Sequence, residues 1–198
     1  MAERLYKVTG EHGEAIHGGS GTWRLNRWRS VRGPLKPCSH GLHLCTIEQL
    51  PAWLGTVIWE VETDGEMIDA GDKTVARRAR VVRRLDTWND RTARLFAADC
   101  AEHVLPIFEA AYPNDARPRE AIAVARRFAN GEATRQEMAA AGAAAGAATW
   151  AAWAAGAAAG AATGATGAAA WAAGAAARAA ELRWQSERLA AYLSGKIA

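Results

Sequence analysis

The chain has 198 residues, enough for one or two domains with a real core, and its 50% hydrophobic and 23% charged residues are those of an ordinary globular protein. A net charge of +3 is too small to imply nucleic acid, and the excess of arginine over lysine, 20 to 4, is what a GC-rich genome also produces. Three cysteines (Cys38, Cys45, Cys100) exclude a disulfide framework, and the N-terminal stretch lacks the apolar core of a signal peptide, so a reducing interior is expected, most simply the cytoplasm.

Residues 1–88 read as a small, mixed, β-rich domain. Leu5–Val8 is a short strand ended by Gly10, and the glycine-rich stretch 10–22 is a loop. Gly41-Leu42-His43-Leu44-Cys45 alternates like a half-buried strand, with His43 and Cys45 on the face opposite Leu42 and Leu44. Ile47 to Leu54 predicts a short helix between Thr46 and Gly55. Val57–Glu62 is the clearest strand, and Asp64-Gly65 predicts a turn into Met67-Ile68. Residues 73–85 fit either a helix face or a strand, and their β-branched content favours the strand.

From residue 89 to the end the pattern is helical, which makes the fold class α+β. One helix over 91–111 carries Leu95, Val104, Leu105 and Phe108 on one face. A break at Tyr112-Pro113-Asn114-Asp115 precedes a second helix, which starts at Arg117-Pro118 and is capped by Asn130-Gly131. Between Met138 and Ala177 no residue is charged, and seven glycines interrupt the alanines. Each glycine costs a helix roughly 1 kcal/mol relative to alanine, so close packing against another helix is expected to offset the loss. Gly146, Trp153, Gly160, Gly167 and Gly174 recur every seven residues, Trp150 and Trp171 fall on a second such row, and residues 141–155 match 155–169 at an offset of fourteen. Coiled-coil phase follows. A hairpin turning near Thr163–Gly167 is the favoured arrangement, and pairing between chains is the alternative. A membrane span is disfavoured, because the uncharged run holds no Leu, Ile, Val or Phe. The final segment, Glu181 to Ala198, is amphipathic, with Leu182, Trp184, Leu189 and Tyr192 as contacts.

Candidate chemistry is sparse. Cys38, His40, His43 and Cys45 crowd four zinc-type ligands into eight residues, but one short run rarely closes a tetrahedron, so no metal is expected. His17-Gly18-Gly19-Ser20-Gly21-Thr22 has the N–H groups to cradle an anion, without the lysine and helix of a P-loop. Gly18, Gly19, Ser20, His40 and His43 are therefore binding candidates. So are Arg77, Arg80 and Arg84 in the basic run 73–84, whose bland reading is a solvated edge. Asp99, Glu102, His103 and Glu109 lie within three helical turns; a structural role outweighs acid–base work. No cofactor is expected, and enzymatic activity is not favoured.

The run Asp99–Glu109, followed by Tyr112-Pro113 and by Asp115, Arg117, Pro118 and Arg119, resembles the helical region of a bacterial immunity-protein family, the immunity-five-like proteins, over about residues 90–190. That resemblance implies an all-α partner-binding module. The front half, through Lys36-Pro37-Cys38, His40–Cys45 and Trp59-Glu60-Val61, resembles uncharacterised domains of actinobacteria and their phages. Its element order is also similar to ADP-ribosyltransferases, whose NAD-binding and catalytic motifs have no residue-by-residue counterpart here. The expected function is that of a non-enzymatic protein-binding accessory protein, in immunity or counter-defence. A nucleotide-binding protein and a helical structural or membrane component are the alternatives. The expected partner is another protein, with self-association through the Ala/Gly/Trp helices also open; nucleic acid is not favoured.

Overall fold

The computed structural model describes residues 3–162 and 167–197, with side chains described outside 149–176. The fold is α+β: an N-terminal antiparallel sheet followed by four helices. Two compact units make up the chain, Met1–Asn89 together with Glu181–Ala198, and Asp90–Ala180.

In the first unit, strands β1 (Leu5–Thr9), β2 (Arg29–Ser30), β3 (Leu42–Leu44), β4 (Val57–Asp69) and β5 (Thr74–Arg84) form one sheet. Residues 73–85 take the strand reading, with Val75, Ala76, Ala79 and Val81 buried and the arginines among them partly or fully exposed. β4 lies between β1 and β5, and the far edge of β5 is shared by β2 and β3. Tyr6 and Cys45 then exchange backbone hydrogen bonds of 2.8 and 2.9 Å, so β1 meets the residue that follows β3 and the sheet closes on itself. Leu5, Trp23, Leu42, Leu44, Ala76, Ala79 and Val81 form the core of this closed sheet.

The turn expected at Asp64-Gly65 is a bulge inside β4. The register passes from Asp64↔Arg78 to Met67↔Ala76, so Gly65 and Glu66 oppose Arg77 alone, and Gly65 takes the positive φ of 82° such a bulge uses. The strands reverse five residues later at Gly71-Asp72, where Gly71 also has positive φ and Ala70 donates to the Lys73 carbonyl at 2.8 Å. The predicted helix at 47–54 shrinks to a 3₁₀ turn, Leu50–Trp53, with proline in its first turn.

Helices α1 (Asp90–Ala111), α2 (Arg117–Ala129) and α3 (Arg135–Ala162) belong to the second unit, and α4 (Gly167–Leu193) follows. α2 starts at the expected proline and ends in a Schellman arrangement: Gly131 at φ 78°, with Glu132 N–H donating to the Arg127 carbonyl at 2.8 Å. α3 opens on a reciprocal cap. Glu137 N–H donates to Thr134 Oγ1 at 3.1 Å, and Thr134 N–H donates to Glu137 Oε2 at 2.7 Å. The Ala/Gly/Trp tail is thus two helices, and the turn expected between them, 163–166, lies outside the described residues. In the first unit Leu189, Tyr192 and Leu193 are buried, and Thr87 Oγ1 donates to the Leu193 carbonyl at 2.8 Å. Leu182, expected to be a contact, is 44% exposed. No helix among the described residues is long and apolar enough to cross a membrane.

Candidate functional site

The closure of the sheet makes a cleft at one end of the first unit. Two adjoining lobes of about 210 and 270 Å³ share Lys7, Gly18, Cys38 and His43 as walls. Chain reversals deliver these residues. β1 brings Lys7, the glycine-rich loop brings His17 to Ser20, β3 and the turn before it bring Cys38, His40 and His43, and the 3₁₀ turn and the β4–β5 turn bring Trp53 and Lys73. The loop and the strand singled out in the sequence, Gly18, Gly19 and Ser20 with His40 and His43, therefore meet in one place.

Lys7 occupies a strand position whose neighbours Leu5 and Val8 are core, and its ammonium donates to the His43 carbonyl at 3.0 Å and lies 5.4 Å from the Trp23 ring centre. Burial pulls its pKa down, and the nearby Arg29 adds to the effect. Arg29 also lies over Trp23, at 5.0 Å, and donates through one terminal nitrogen to the Ser20 carbonyl at 3.2 Å. Its other terminal nitrogen is buried, with no hydrogen-bond acceptor among the described residues. Lys73 pairs with Asp72 at 2.9 Å and sits 4.7 Å from the Trp53 ring centre; the hydrogen bond to Asp72 holds its pKa up. Among the described residues no carboxylate lines either lobe.

The two histidines hold the loop geometry. His43 Nε2 accepts the Cys38 N–H at 3.1 Å, which requires the neutral ring, and burial followed by the charges of Lys7 and Lys73 keeps its pKa low. His40 Nε2 is 2.7 Å from the Arg32 carbonyl, and His17 Nε2 is 2.9 Å from the Trp53 carbonyl. Burial pushes the Cys45 thiol up to about 11, so it stays protonated and unreactive at neutral pH. Cys38, His40, His43 and Cys45 thus point to separate tasks, and no group of three or more metal-type side chains converges among the described residues.

The arginines of the basic run lie elsewhere. Arg83, Arg80 and Arg78 pair in register with Glu60, Glu62 and Asp64 on β4, at 2.6, 2.5 and 2.7 Å, and Arg77 pairs with Glu66 across the bulge. Arg84 meets Asp86 at 3.3 Å. Arg77 and Arg80 are members of a charge ladder that joins β4 to β5, Arg84 pairs just beyond the end of β5, and Trp28 covers Arg78 and Arg80 at 4.4 and 4.8 Å.

In the second unit the carboxylates of α1 face α2. Arg126 bridges buried Asp99, at 2.7 Å, and Glu102, while Arg119 holds Glu109 at 2.6 Å. Beside them, α1, α2 and the start of α3 border an apolar groove of about 410 Å³, lined by Val104, Leu105, Phe108, Ile122 and Met138 among others. Of the helix-packing candidates, Gly146 has nothing among the described residues within 4 Å of where a Cβ would stand. Trp150, Trp153, Gly160, Gly167, Trp171 and Gly174 lie where side-chain surroundings are outside the described residues.

Lys7, Arg29 and Trp53 were not singled out by sequence, and Lys73 entered only as the first residue of the basic run. Lys7 reads as a solvent-facing strand residue, and only the pairing of Tyr6 with Cys45 places it at the cleft. The family model for the Imm-5 like putative immunity protein matches residues 83–192, more than half of the chain. The chain belongs to this Imm-5 like family. Neither a search of curated proteins nor one of solved structures finds a match.

Proposed function

We propose that this is a non-enzymatic accessory protein of bacterial or phage origin that acts in immunity or counter-defence by forming a stoichiometric complex with another protein. The observation that carries the reading is the family span, residues 83–192, which contains the whole of α1 and α2 and the apolar groove they border with α3. The ionisable side chains along α1 and α2 support it, since Asp99, Glu102 and Glu109 are spent on Arg126 and Arg119 and so brace the groove. Val104, 39% exposed, brings an apolar side chain from the groove to the surface.

The test is affinity capture with the full chain, identification of the captured protein, and reconstitution of the complex from purified components. The reading expects a defined stoichiometry, and loss of the complex in Val104→Glu, a surface change that leaves the fold intact. A reconstituted complex indifferent to Val104→Glu and to Ile122→Glu, or failure of every captured protein to re-form a complex, would overturn it.

A further inference from the structure

We propose that the cleft of the first unit is a binding site for a phosphoryl group, free or carried by a nucleotide. Three observations converge on it. Among the described residues the cleft walls carry Lys7, Arg29 and Lys73 and no carboxylate. Of these cations only Lys73 has a carboxylate partner among the described residues, Asp72, so Lys7 and Arg29 leave two positive charges uncompensated, the charge of a phosphate dianion. One Arg29 terminal nitrogen is buried without an acceptor among the described residues, and an orphaned buried donor is destabilising. Arg29 itself lines the lobe beside Gly18 to Ser20, where an anion would answer its charge.

The loop completes the site. Gly18, Gly19 and Ser20 line the lobe that contains Lys7 and Arg29, and their backbone N–H groups donate to no other described residue. Consecutive free N–H groups beside cations are how protein backbones hold phosphate oxygens. The Trp23 and Trp53 rings are already faced by Lys7, Arg29 and Lys73, so they steady the cations and do not stack a base. Specificity therefore rests with the phosphoryl group.

Thermal melts of the full chain in phosphate, in ADP and in adenosine, each against chloride at equal ionic strength, test the assignment. A saturable rise in Tm is expected with phosphate or ADP and none with adenosine. A rise with phosphate identifies the free anion as sufficient, and a rise with ADP alone identifies a nucleotide as the carrier. Lys7→Met, which replaces an ammonium without a carboxylate partner by an apolar side chain of similar length, melts at or above the wild-type Tm without ligand and binds about tenfold or more weakly. Arg29→Gln gives an independent reading with the same loss of affinity. No rise with phosphate or ADP, an equal rise with adenosine, or an undiminished rise in both variants would overturn the proposal.

Discussion

His43 and Arg126 each join two parts of the structure through a charge state. His43 must be neutral to accept the Cys38 N–H, and its pKa lies below the ordinary 6.5 because burial disfavours the charged ring. Between the lowered value and 6.5 the unfolded chain binds more protons than the folded one, so this contribution to stability is full above pH 6.5 and is lost as pH falls through the folded pKa. His43→Gln, whose amide oxygen can accept the same N–H, is expected to remove that component. Urea midpoints measured from pH 7.5 to 5 would show the wild type losing ground to the variant below 6.5; parallel curves would refute the role. Arg126→Met leaves Asp99 buried beside Glu102 without its guanidinium, and unfolding in urea is expected to become easier by about 2 kcal/mol, less than a fully buried pair would cost because Arg126 is partly exposed. An unchanged midpoint would mean the bridge contributes nothing.

At the scale of elements, Gly65 and the arginine ladder explain how β4 and β5 keep their register. Gly65→Ala forces a side chain into φ 82° and is expected to cost about 1 kcal/mol, read as a lower urea midpoint with the sheet retained. Arg80→Gln removes one exposed pair and should change stability by under about 1 kcal/mol, an effect that salt diminishes. These elements also show what could be read from the chain alone. The β-branched content of 73–85 and the Pro118 and Gly131 caps are local signals, and the structure follows them. Asp64-Gly65 carries the same dipeptide signal as a hairpin turn, and the pairing of its neighbours with Arg78 and Ala76 decides for a bulge. The cleft was legible in part: Gly18 to Ser20, His40 and His43 stood out, whereas Lys7, Arg29 and Lys73 become site residues through pairings distant in sequence.

At the scale of the whole molecule, family membership and groove fall on the helical part, and the cationic cleft falls in the first unit. The two proposals are independent, and each has its own variants: Val104→Glu for the complex, Lys7→Met and Arg29→Gln for the cleft. The most direct test of a protein-binding role is hydrogen exchange on the full chain, free and with its reconstituted partner. The account predicts slowed exchange on α1, α2 and the start of α3, where Val104, Phe108, Ile122 and Met138 line the groove. Protection confined to residues 3–89, with exchange in 94–145 unchanged, would contradict it.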